Sequence, residues 1–157
     1  MKIKINVHKN VPKMLSKSVK HNLIVVNSDK SSFLTESVKA KIKRLKLKLT
    51  DLEDKFLSLD DEHQAHTVIL KSSDKSAFKI QTQLRKSLKN LLDENPTEIN
   101  LIIETDNVLW NRELLYTTLL NSKDLPSRKK KVDKKSLKVI NFYGKLESKD
   151  IKEIEAL

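Results

Sequence analysis

Apolar and polar positions alternate along this chain with two different periods. Ile3, Ile5 and Val7 alternate with Lys4 and Asn6, which predicts a half-buried strand. Leu23-Ile24-Val25-Val26 is an apolar run between Asn22 and Asn27-Ser28-Asp29, which predicts a strand covered on both faces at the centre of a parallel or mixed sheet. Leu34, Val38, Ile42, Leu45 and Leu49 then fall at spacings of 4, 4, 3 and 4, one face of a helix. From Ile42 to Leu49 the same residues also alternate with period two, so the helix is less firmly specified there. Residues 51–66 are acidic and read as irregular, with Phe56–Leu59 as a short strand within them.

Thr67–Leu70 is β-branched and apolar, another buried strand. Ala77, Ile80, Leu84, Leu88 and Leu91 repeat at spacings of 3, 4, 4 and 3, the clearest helix of the chain, and Asn95-Pro96 stops it. Ile99–Ile103 predicts a strand. Trp110, Leu114, Thr117 and Leu120 begin a helix that Pro126 cannot continue, and 121–135 reads as a basic loop. Leu137–Tyr143 predicts the last strand, ended by Gly144, and Glu147–Leu157 a last helix. Strands alternating with helices imply an α/β sandwich with a largely parallel or mixed sheet. No internal repeat or long linker divides the 157 residues, so one domain is expected. The last helix reaches Leu157 with no stop signal, which predicts the front part of a longer protein.

Composition narrows the chemistry. Cysteine is absent, which excludes disulfides, thiolate zinc sites and cysteine nucleophiles. Gly144 is the single glycine, which excludes P-loops, dinucleotide fingerprints and the Gly-x-Ser-x-Gly elbow of serine hydrolases. The first residues carry no signal-peptide core and no apolar run approaches membrane length. The net charge of +11 is concentrated in residues 1–50, while 51–100 are net acidic and a second basic knot stands at Arg128–Lys131 with Lys134 and Lys135. Such a distribution suits nucleic acid or an acidic partner surface, and equally a solvated lysine-rich face.

His63 and His66, spaced by three and preceded by Asp60, Asp61 and Glu62, are the one pairing that suggests a metal. They precede a strand, however, and read as part of the loop leading into it. The paired carboxylates (Asp51, Glu53 and Asp54; Asp60, Asp61 and Glu62; Asp93 and Glu94) sit in polar turns or at helix ends and read as solvated surface. Trp110, Phe142 and Tyr143 read as packing residues, so nucleic-acid binding would rest on phosphate attraction, with Arg128–Lys135 including Lys129, Lys130 and Lys131 as its contact. No catalytic, cofactor-binding or metal-ligating set is assigned.

The order Thr67–Leu70, Phe78–Leu92, Ile99–Ile103, Glu113-Leu114-Leu115-Tyr116, Ser127–Lys131 and Leu137–Leu157 is similar to the N-terminal domain of the leucine (cytosol) aminopeptidase family. That resemblance implies a macro-domain-like three-layer sandwich, a mixed β-sheet flanked by helices. It implies a non-catalytic accessory domain, residues 1–157, of a cytoplasmic metallo-aminopeptidase that removes N-terminal residues from peptides. The two divalent metals, zinc or manganese, would lie in a catalytic domain beyond residue 157, so no cofactor is expected in this chain. The implied partners are that catalytic domain and a homohexamer of the parent enzyme; some bacterial members also bind DNA, and no membrane is implied. The alternative is a free-standing basic nucleic-acid-binding module. The glycine-rich loops with which true macro domains hold ADP-ribose are missing from the sequence.

Overall fold

The computed structural model describes residues 3–12, 17–61, 63–71, 76–105, 107–122 and 137–156. Their elements are β1 (Lys4–His8), β2 (His21–Val26), α1 (Glu36–Arg44), a 3-10 helix (Leu49–Glu53), β3 (Leu57–Asp61), β4 (Gln64–Leu70), α2 (Ala77–Leu92), β5 (Glu98–Ile103), α3 (Val108–Ser122), β6 (Val139–Tyr143) and α4 (Ser148–Glu155). The strands form one sheet in the order β1-β6-β5-β2-β4-β3, parallel except for β3, which runs antiparallel to β4. The apolar run at Leu23–Val26 lies at the interior of this sheet, between β4 and β5, as its two-sided hydrophobicity requires.

Alternate residues of each strand divide the core in two. Leu23, Val25, Ile69, Ile99, Leu101, Ile103, Ile140 and Phe142 pack with Ile80, Leu84, Leu88 and Leu91 of α2, Trp110, Leu114, Leu115 and Leu119 of α3, and Ile154 of α4. Ile24, Val26, Val68, Leu70 and Ile102 point to the other face, where they meet Phe33, Leu34, Val38 of α1, Leu52 and Leu57. The molecule is therefore a mixed α/β structure of three layers, with α1 on one face and α2, α3 and α4 on the other.

Four details differ from the pattern read along the chain. Helix α1 stops at Arg44 rather than reaching Leu49. Lys46 takes a left-handed backbone (φ 56°), its N–H bonds the Lys43 carbonyl at 3.1 Å, and the Leu47 N–H bonds the Ile42 carbonyl at 3.0 Å. This is a Schellman ending with lysine in the position glycine normally holds, closed by Leu47 and Ile42 packing on the same cluster. Leu45, counted on the buried face, is consequently 46% exposed. Secondly, residues 51–66 are largely ordered elements. The strand expected at Phe56–Leu59 is real, starts at Leu57, and pairs with β4. That edge pairing also draws β4 back to Gln64, three residues before the expected Thr67.

Thirdly, α3 is buried around most of its circumference, including Asn111, Glu113, Thr117 and Thr118, because α2 and α4 flank it on the sheet. Leu120, counted as inward, faces solvent. It also runs on through Asn121 and Ser122, the first two positions of the expected loop. Finally, β6 begins at Val139 rather than Leu137, although Leu137 is buried in the larger cluster. Leu157 lies outside the described residues. No helix among the described residues is long and apolar enough to cross a membrane.

Candidate functional site

Five strands contribute a polar residue at one level of the sheet. The register aligns Asn6 with Asn141, Asn141 with Asn100, Asn100 with Asn22, and Asn22 with His66. Their side chains form a continuous hydrogen-bonded ladder. The Asn6 amide donates to Asn141 Oδ1 at 2.9 Å. Asn141 Nδ2 donates to Asn100 Oδ1 at 3.1 Å and to the Glu98 carboxylate at 2.6 Å. Asn100 Nδ2 donates to Asn22 Oδ1 at 2.8 Å, and Asn22 Nδ2 lies 3.4 Å from His66 Nδ1. Every amide thus points its donors the same way, and the chain of donors ends on the histidine. Asn22, Asn100 and Asn141 are buried, so each of these groups needs its partner.

The ladder sets the state of His66. With Asn22 Nδ2 as donor, Nδ1 must be the unprotonated acceptor and the ring the neutral Nε2–H tautomer. Burial pushes the imidazole below its ordinary range, opposed by the carboxylates of Asp61 and Asp60. His66 therefore lies within β4, not on a loop as its sequence context suggested. Its acceptor nitrogen is engaged, which removes Nδ1 from service as a base or metal ligand.

His63 stands on the turn between β3 and β4 and is exposed, while Asp60 and Asp61 belong to β3. Glu62 lies outside the described residues. The turn and the pleat separate the two imidazoles instead of presenting them on one helical face. No group of three histidine or carboxylate side chains suited to a metal occurs among the described residues. A two-metal centre does not fit them. Of the paired carboxylates, Asp51 accepts the Lys48 N–H at 2.8 Å at the start of the 3-10 helix, and Asp93 and Glu94 follow α2 on the surface. Residues Arg128–Lys135 lie outside the described residues.

Open α/β sheets usually place a ligand crevice at the carboxyl ends of the strands where the connections diverge. Here that point lies between β2, followed by α1 on one face, and β5, followed by α3 on the other. Described side chains pack at this point. Phe33 and Leu34 of the loop after β2 are buried, and Ser31 Oγ donates to the Glu104 carboxylate at the end of β5. Beside it, Asn111 Nδ2 donates to the Thr105 and Asn107 carbonyls, both at 2.8 Å, pinning the turn into α3. Gly144 is needed here for close packing: a Cβ would stand 2.4 Å from Asn111 Oδ1 and 2.6 Å from Ile103 Cγ2.

The asparagine ladder is the feature the residue pattern did not announce as a unit. Its signal was present in Ile5-Asn6-Val7, Asn22-Leu23, Ile99-Asn100-Leu101 and Ile140-Asn141-Phe142, an asparagine embedded in or opening each apolar strand. Amides of this kind hold strands in register; they supply no nucleophile.

No known family model matches the chain, and no curated protein matches it in sequence. Among solved structures it is similar to a mutant of tomato leucine aminopeptidase, with a TM-score of 0.62 and 13% sequence identity. The likeness covers 98% of this chain and 35% of that one, so the chain spans about a third of its structural neighbour's length. At this identity the likeness establishes a related fold.

Proposed function

We propose that this chain is the non-catalytic N-terminal domain of a metallo-aminopeptidase, with its role in assembly, active-site access or regulation of the parent. The observation that carries the reading is the extent of the structural likeness: nearly the whole chain, 98%, matches 35% of the length of a leucine aminopeptidase. The described residues support it from another side. The ladder is built from amides, and its histidine is neutral and engaged through Nδ1. Phe33 and Leu34, in the loop that follows β2, are buried in the core cluster on the α1 face. A domain of this kind contributes surface and shape to an enzyme, and the peptide-cleaving metals would be held in a separate catalytic domain. The parent would work in the cytoplasm as a homohexamer.

The test uses the purified 157-residue chain. It is expected to leave a leucine anilide intact with or without added zinc or manganese. Robust hydrolysis by the chain alone would overturn the assignment of the chemistry to another domain.

A further inference from the structure

The outer face of α2 carries a groove that the accessory-domain reading leaves unused. Thr82, Arg85, Lys86, Lys89 and Leu92 line it from α2 and Asp93 from the residue that follows, and Asn121 closes it from the last turn of α3, around about 370 Å³. The helical period brings these residues together, since positions three, four, seven, ten and eleven after Thr82 share one side of a helix. Arg85, Lys86 and Lys89 are exposed, and none of them forms an ion pair with Asp93 or any other acid among the described residues. Leu92 packs against the larger core cluster, giving the groove an apolar floor. The amide of Asn121 donates to its own helix at Thr117, and the Thr82 hydroxyl donates to Phe78, so the charged groups of the lining are Arg85, Lys86, Lys89 and Asp93.

We infer that this α2–α3 groove is a binding site for an oligophosphate anion, a ligand that brings two or more linked phosphate groups to Arg85, Lys86 and Lys89. An exposed lysine holds a single anion weakly, because water screens the pair and side-chain entropy opposes it. Three cations on one helical face, without an ion pair among the described residues, instead match a ligand whose charges are joined, and the guanidinium of Arg85 can fork onto one phosphate. The lining contains no aromatic side chain. A base would find no aromatic face there, and recognition is directed at the phosphate chain itself. The same chemistry can come from a free oligophosphate or from a nucleic-acid backbone. The site stands independently of the parent enzyme's identity and of Arg128–Lys135.

The experiment is calorimetric titration of the 157-residue chain at low salt with inorganic tripolyphosphate and, separately, with a short duplex DNA. Two charge-matched variants are compared: Arg85→Glu with Lys86→Glu and Lys89→Glu on the groove, and Lys39→Glu with Lys43→Glu and Arg44→Glu on the exposed face of α1. The groove variant is expected to weaken binding roughly tenfold or more, and the α1 variant much less. Asp93→Asn, which removes the acid from the lining, is expected to tighten binding and keeps the test valid should the triple variant fold poorly. For duplex DNA, three phosphate contacts predict a slope of about −2.7 in log affinity against log salt. Binding of tripolyphosphate identifies a free oligophosphate as the ligand, and binding of duplex alone identifies a nucleic-acid backbone. Absence of binding to either probe, equal loss in both triple variants, or no tightening with Asp93→Asn overturns the proposal.

Discussion

Asn100 is the hinge of the ladder, because it accepts from Asn141 and donates to Asn22 while buried in the middle of the sheet. Asn100→Ala leaves Asn22 Oδ1 without its donor and Asn141 Nδ2 with Glu98 alone. A buried group stripped of its partner costs about 1–3 kcal/mol, so the urea midpoint of this variant should fall accordingly. His66 makes the end of the ladder sensitive to acid. Its folded pKa is lowered by burial, with Asp61 and Asp60 opposing, so the unfolded chain takes up a proton first as the pH falls. The stability it contributes is complete above the ordinary histidine range and is lost as the pH drops through the folded value. Urea midpoints measured from neutral to mildly acidic pH should fall more for the natural chain than for His66→Gln. Equal curves would show that His66 is not the titrating group. The sequence marked both histidines and placed His63 on a loop, as found, but misjudged the setting of His66, since it could not show that β3 pairs with β4 and draws His66 into the sheet. Nor does one asparagine in a strand disclose the three others; only the register joins them.

Elements were legible where one physical demand acted alone. Helix α2 has a clean apolar stripe, a serine cap at Ser76 accepting from Lys79, and a stop at Asn95-Pro96, and the structure places it over Ala77–Leu92. Helix α1 was harder because two periods overlap after Ile42, and the contact between Leu47 and the second cluster favours a left-handed Lys46 over another turn of helix. In α3 the amphipathic pattern is blurred, because buried polar residues such as Asn111 and Glu113 make hydrogen bonds to the turn at its start and to Gln81 of α2. The approach of α3 to the end of β6 explains the single glycine. Gly144→Ala would push a methyl against Asn111, whose amide is held by two carbonyls, and against Ile103. Overpacking of this kind costs about 1–3 kcal/mol, which a lowered urea midpoint for the variant would register; an unchanged midpoint would show that the interface relaxes freely.

At the scale of the whole molecule, alternating strands and helices gave the α/β class and the central place of β2, whereas strand order depends on pairing between distant segments. The edge position of β1 and the antiparallel β3 emerge only from that pairing. The net charge of +11 does not define one surface: exposed cations occur on α1 and, on the opposite layer, around the α2 groove. The fold is similar to about a third of the length of a leucine aminopeptidase, and the accessory-domain proposal starts from that likeness. The most direct test of the accessory-domain claim is the mass of the native polypeptide in its source cell, detected with an antibody against this chain. A band several times heavier than 18.2 kDa that co-purifies with leucine-anilide hydrolysis is the predicted result. A native polypeptide of 18.2 kDa, with the hydrolytic activity in other fractions, would contradict it.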